Sequence, residues 1–226
     1  MTKRVFLSWS SGKDSAWTLY NLQQDPDVEI LGLVTTVNQK HQRVAMHGVR
    51  EQLLQQQADA ANLPLHSLHI PSPCSNQQYE DVMKNFLQVM LDNKIDSMAF
   101  GDLYLEDIRQ YREKQLENTG IMPMFPLWQK PTQQLAREMI DAGLKATITC
   151  VDPAKLPADF AGRAFDHDFL DDLPKGVDPC GENGEFHSCV YDGPMFKQAI
   201  QVENGEIVKR DEFIFADLIP LALASH

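Results

Sequence analysis

The first twenty residues confine this chain to a fold in which a strand feeds directly into a helix. Val5-Phe6-Leu7 is an apolar run of strand type, and the small and polar residues from Ser8 to Gly12 interrupt it. From Ala16 to Leu22, apolar residues then recur at helical spacing. A strand, a tight turn and a helix start in that order aim backbone N–H groups and the positive end of the helix dipole past the strand end. Ser10, Ser11 and Ser15 add hydroxyls and Lys13 adds a positive charge. A phosphate is the natural guest of such a turn.

Downstream, strand-like and helix-like segments alternate. Residues 28–37 are rich in β-branched residues and nearly continuous in apolar character, as in a strand buried on both faces of a parallel sheet. A helix is expected at 49–61, a strand at 65–70 and a helix at 76–92. In that helix Tyr79, Val82, Met83, Phe86, Leu87, Met90 and Leu91 form a core-facing stripe. A fourth strand at 95–100, a helix at 105–118 and a short strand at 121–125 complete the series. This order predicts an α/β fold, a doubly wound parallel five-stranded sheet of order 3-2-1-4-5.

Ligands of such sheets bind beyond the carboxyl ends of the strands at the switch point. Strand 4 lies beside strand 1 in that order, so Gly101 and Asp102 at its end are expected to face the serine-rich turn. The glycine would allow close backbone approach, and the aspartate would hold a metal or a ribose hydroxyl. Thr36, at the end of strand 2, and Met46-His47, before the next helix, are candidates for contact with a nucleobase. His66 and His69 read as ordinary strand residues.

Near residue 128 the pattern changes. The chain is expected to divide into a nucleotide-binding unit at 1–128 and a smaller C-terminal α/β unit for the substrate at 129–226. Pro131 opens a helix closed by Gly143, and 145–151 is strand-like. Residues 153–179 are rich in proline and aspartate. Residues 180–188 read as a polar loop, and 196–214 as a hairpin turning at Asn204-Gly205. Within that loop Glu182, Asn183, Glu185 and His187 bring two carboxylates, an amide and an imidazole together. Such a group suits acid–base chemistry or a magnesium ion.

Composition narrows the partners. The 226 residues carry a net charge of −12, which argues against a nucleic-acid partner. Four scattered cysteines show no zinc spacing, and there is no apolar span of ~20 residues or signal-peptide pattern. The expectation is a soluble cytoplasmic protein with no membrane partner.

The phosphate motif is not a Walker loop, which needs glycine where Leu7 stands and Ser or Thr where Asp14 stands. Ser10-Ser11-Gly12-Lys13-Asp14-Ser15 instead resembles the PP-loop of the N-type ATP pyrophosphatases, which split ATP into AMP and pyrophosphate. Together with Gly181-Glu182-Asn183-Gly184-Glu185-Phe186-His187, it resembles the diphthine–ammonia ligase family. Gly101-Asp102, Pro126-Leu127-Trp128 and Asp192-Gly193-Pro194-Met195-Phe196 extend that resemblance over nearly the whole chain.

The resemblance implies an ATP-dependent adenylating ligase, which forms an amide from ammonia and a carboxylate, in that family the carboxylate of diphthine. It implies phosphate contacts from Ser10, Ser11, Gly12, Lys13, Asp14 and Ser15, with Asp14 a ligand of Mg²⁺. Lys13, Asp14, Glu182, Glu185 and His187 would be the catalytic set. Two departures stand out. Ser11 replaces a glycine of the family's loop, and the family's Gly-Ala-Ile-x-Ser-x-Tyr-Gln-Arg run is here Gly101 to Arg109 with other residues. Tyr104, Glu106, Arg109 and Asn183 would then meet the acceptor, diphthine or, as the changed run suggests, another carboxylate. The alternatives are a nucleotide α-hydrolase or salvage enzyme, with water replacing ammonia, and a nucleotide-binding sensor.

Overall fold

The computed structural model describes residues 2–38, 43–44, 49–71 and 74–221. In chain order the elements are β1 (Lys3–Ser8), α1 (Lys13–Gln23), β2 (Val28–Asn38), β3 (Arg43–Val44), α2 (Glu51–Ala61), β4 (Leu65–Ile70), α3 (Asn76–Asp92), β5 (Ser97–Ala99), α4 (Glu106–Leu116) and β6 (Met122–Met124). Then come α5 (Thr132–Asp141), β7 (Lys145–Val151), α6 (His167–Asp172), β8 (Phe186–Asp192), β9 (Val202–Arg210) and β10 (Phe213–Pro220).

Five strands pair in parallel in the order β4-β2-β1-β5-β6, the 3-2-1-4-5 order expected from the sequence. The short β3 adds antiparallel to β2. Val37 pairs with His69 on one edge and Val44 on the other, so β3 lies on the β1 side. The alternation of β1 separates two cores. Val5 and Leu7 pack with α1 and α2, whereas Phe6 packs with Phe86 and Met90 of α3 and Leu116 of α4. Helices therefore cover both faces, as a parallel sheet with apolar residues on each side requires.

The second sheet is antiparallel, in the order β8-β7-β10-β9. It shares one continuous core with the α1/α2 face of the first, through Cys189, Val190, Phe186 and Ala216. Polar contacts join the two sheets. Arg50, ahead of α2, pairs with Asp217 of β10. The Lys197 N–H donates to the Ala60 carbonyl at 2.8 Å.

Two expectations for the C-terminal half need correction. The hairpin turn falls at Asp211-Glu212, with Asp211 at φ 53°. Asn204-Gly205 lies inside β9, where its pairing slips between Ala216 and Leu218. A Cβ on Gly205 would sit 2.9 Å from Ile219, so the glycine serves a bulge, a use of Asn-Gly that local sequence does not separate from a turn. The polar segment 180–188 is also not all loop. From Phe186 onward it is β8, paired with β7, and Glu185, Phe186 and Ser188 are buried. No helix among the described residues is long and apolar enough to cross a membrane.

Gln57 of α2, fully buried, ties the turn between β1 and α1 to the second sheet. Its carbonyl accepts from Trp9 Nε1 at 2.9 Å, and its amide donates to the carbonyls of Ser11 at 3.1 Å and Val190 at 2.6 Å. A buried polar group left without a partner costs about 1–3 kcal/mol. Gln57→Leu is therefore expected to lower the unfolding free energy by roughly 2 kcal/mol or more, read from urea denaturation curves.

Candidate active site

The turn between β1 and α1 is held in an unusual conformation. Ser11 has φ 72°, the left-handed region in which a side chain costs about 1–2 kcal/mol and glycine little. Its carbonyl offsets part of that cost by accepting from the Val190 N–H at 2.9 Å as well as from Gln57. The Lys13 N–H, in the first turn of α1, donates to Ser188 Oγ at 3.2 Å. Ser15 Oγ donates to the Gly12 carbonyl at 2.9 Å and lies 3.1 Å from Ser10 Oγ.

Gly101 packs against this turn. A Cβ there would lie 3.0 Å from the Asp14 carbonyl carbon and 3.1 Å from the Ser15 nitrogen. Backbone gives way less readily than a side chain, so glycine favours the approach of β5's end to α1.

Between these elements lies a cavity of about 450 Å³. Ser10, Gly12, Lys13, Asp14 and Ser15 form one wall and Gly101 and Asp102 the next. Residues 180–182 and 184 with 186–188 close it from the other end of the chain. Residues more than 160 positions apart in sequence thus share one site, as Lys13 and Cys180 show: the Lys13 ammonium donates to the Cys180 carbonyl and, at 2.8 Å, to Asp14 Oδ2. It also sits 5.4 Å from the Phe186 ring centroid.

Residues 3–123 match the family described as the diphthamide synthase N-terminal domain, and residues 131–217 the diphthamide synthase C-terminal domain. The chain belongs to the diphthamide synthase family. Among its relatives are proteins named diphthine–ammonia ligase. The Homo sapiens protein is 29% identical over 175 residues, covering 70% of this chain and 65% of that protein. The Mus musculus protein is 28% identical over 165 residues, 71% and 62%. The Bos taurus protein is 30% identical over 149 residues, 63% and 55%. The chain thus matches between 55% and 65% of the length of these relatives.

The structure brings some of the expected residues of this family member together and leaves others aside. Glu182 lines the cavity, and its Oε1 accepts from the Leu103 N–H at 2.8 Å. His187 lines it from β8. Tyr104 is exposed and does not line the cavity, though its N–H donates to Glu182 Oε1 at 3.4 Å. Glu185 is buried in its own loop, with Oε1 accepting from the Asp178 N–H and from Asn183 Nδ2, each at 3.1 Å. It is not a lining residue. Thr36 pairs with Leu68 within the sheet, away from the cavity. Glu106 is exposed and bonds Gln110. Met46 and His47 lie outside the described residues.

Arg109 also points elsewhere. It pairs with Glu113 at 2.8 Å and stacks over Phe125 and Trp128, 5.2 and 4.8 Å from their centroids. Arg112 is the arginine that lines the cavity, 5.0 Å above the Phe100 ring and 3.8 Å from Asp102 Oδ2. The signal for it was present in the sequence. Leu105, Ile108 and Arg112 stand at i, i+3 and i+7, one stripe of α4, and all three line the cavity.

Carboxylates dominate the electrostatics. Burial pushes the Asp14 carboxyl up, against the pull of the Lys13 charge. It does the same to Asp102, against Arg112, and the nearby Asp14 charge adds to it. Burial alone would pull the Lys13 amine down, but the Asp14 and Glu182 charges outweigh it and hold it above the usual range. One oxygen each of Asp14 and Asp102 is buried without a hydrogen-bond partner. Among the described residues no three His, Cys, Asp or Glu converge on one point. That donor set fits Mg²⁺, which takes one or two carboxylates and completes its shell with water and phosphate.

Burial pushes the Glu182 carboxyl up to about 7, and burial with the Lys13 charge pulls His187 down to about 4. The two act oppositely on stability. A depressed histidine contributes stability above its ordinary 6.5 that is lost as the pH falls towards 4. A raised glutamate contributes stability below its ordinary 4.5 that is lost as the pH rises through about 7. His187→Asn is therefore expected to flatten the loss of stability between pH 6.5 and 4, and Glu182→Gln to remove the decline between pH 4.5 and 7. Urea unfolding of each variant across that range checks both signs.

Proposed function

We propose that this protein is a cytoplasmic ATP-dependent adenylating ligase, which converts ATP to AMP and pyrophosphate and forms an amide from a carboxylate acceptor and ammonia. The observation that carries the reading is one cavity that Ser10, Gly12, Lys13, Asp14 and Ser15 line together with Glu182, His187 and Ser188; Ser11 does not line it. A phosphate-binding turn alone suits many reactions. A phosphate-binding turn facing a second wall of carboxylate and imidazole leaves room for an acceptor against the α-phosphate. Residues 1–128 would hold the nucleotide and 129–226 supply the acceptor side.

In this reading the N-terminus of α1, with the Ser10 and Ser15 hydroxyls, receives the phosphates. The Lys13 ammonium exchanges Asp14 for a phosphate oxygen. Asp14 and Asp102 would hold Mg²⁺, which neutralises charge on the phosphates. The acceptor carboxylate attacks the α-phosphorus, pyrophosphate leaves, and ammonia then attacks the acyl carbon as AMP departs. The proton shed by the incoming nitrogen goes to Glu182, whose raised pKa suits a base near neutral pH. His187, held neutral, orients the acceptor by hydrogen bonding without adding charge. Glu185 acts at one remove by bracing the loop through Asp178 and Asn183. Holding both reactants in one cavity can lower the barrier by about 7–11 kcal/mol in well-oriented cases.

Chromatography of the products tests the chemistry: with Mg²⁺ and ATP, the nucleotide product is expected to be AMP with pyrophosphate. A dominant ADP peak would refute the adenylating reading. Lys13→Ala is expected to weaken ATP binding by roughly 1.5–3 kcal/mol, the range of a charge-assisted contact. Calorimetric titration measures it, with the thermal midpoint of the variant as the control for folding. Unchanged affinity would remove the phosphate site from this turn.

A further inference from the structure

A second cavity, of about 270 Å³, opens between α3 and α4 behind the active site. Tyr79, Met83 and Leu87 of α3, Leu116 of α4 and Met98 of β5 make most of its wall apolar, and Glu80, Lys84 and Gln115 also line it. It shares two lining residues with the active-site cavity, Phe100 and Arg112. The stacked guanidinium and ring therefore border both spaces. The Arg112 Nε is buried without a hydrogen-bond partner, and its contact with Asp102, at 3.8 Å, is too long to supply one. A cation with an unmade hydrogen bond thus stands where a polar cavity meets an apolar one. The matching ligand has an anionic head and an apolar body.

Resting on the adenylating reading above, we propose that the acceptor is a monocarboxylic acid with an apolar body, its carboxylate held at Arg112 beside the phosphate site and its body lodged in the α3/α4 cavity. An arginine presents paired donors to a planar carboxylate, which fixes the oxygen that will attack phosphorus. The apolar wall supplies affinity remote from the reacting atoms, the use to which substrate bodies are put in catalysis. The nucleobase is the competing occupant. It lacks the charge that Arg112 selects for.

The test uses the full chain with straight-chain monocarboxylates from butyrate to decanoate, and their neutral amides as controls. Calorimetry measures binding without ATP, and acid-dependent exchange of labelled pyrophosphate into ATP measures adenylation. Affinity is expected to rise with chain length until the cavity is filled, with amides at least tenfold weaker. Arg112→Gln is expected to weaken the acids tenfold or more and leave the amides unchanged, and Arg112→Lys to restore part of the loss. Met83→Trp fills the second cavity, so it should abolish the length dependence while leaving ATP affinity within twofold.

The proposal is overturned if no acid binds saturably, if affinity ignores chain length, or if Arg112→Gln binds acids as the native protein does. It is also overturned if Met83→Trp weakens ATP, because the nucleobase would then occupy that space. Binding with the expected pattern but without pyrophosphate exchange would keep the acid site and sink the adenylating reading. Exchange driven only by short polar acids would do the reverse.

Discussion

The site depends on the Ser11 carbonyl and what holds it. A serine at φ 72° is not where a free chain would leave it. The Val190 N–H and the Gln57 amide converge on that carbonyl and keep the turn open towards the cavity. The same contacts dock β8 against α1 and α2. The β1–α1 turn and the β8 wall of the cavity are thereby positioned by one small buried network rather than by separate scaffolds. Such networks are stabilising only when each member is satisfied. Here Gln57 satisfies Trp9, Ser11 and Val190 together.

The cavity is a poor host for a polyphosphate by itself. Asp14, Asp102 and Glu182 face two cations, Lys13 and Arg112, and both cations already lie against carboxylates. Burial raises the pKa of all three acids, the response expected when charge is confined in low dielectric. A divalent cation would relieve that crowding and attract phosphate at once. The electrostatics thus agree with the orphaned oxygens of Asp14 and Asp102 in what they call for.

The fold was legible because parallel sheets write themselves into local pattern. Continuous apolar strands and 3.6-residue stripes located β4, α3 and β7 to the residue. The switch-point argument then placed Gly101 against the β1–α1 turn, where a Cβ would lie 3.0 Å from backbone. Local pattern failed where a residue's role depends on a partner far along the chain. Asn204-Gly205 has the signature of a turn but sits in a bulge opposite β10. Glu185 has the chemistry of a catalytic acid but turns inward to its own loop. Arg109 matched a motif position, yet Phe125 and Trp128 claim it.

The sequence by itself determined the element order, from which the rule for doubly wound sheets gives the strand order, and the serine-rich turn and polar residues available for chemistry, because these follow from local spacing. Only the tertiary structure decided which of those residues face one another. Side-chain direction on a helix is fixed by register, so Arg112 enters the cavity while Arg109, three residues earlier, does not. Burial is likewise a property of the assembled chain. It is what sets Glu182 near neutrality and keeps His187 uncharged, and no reading of neighbouring residues contains it.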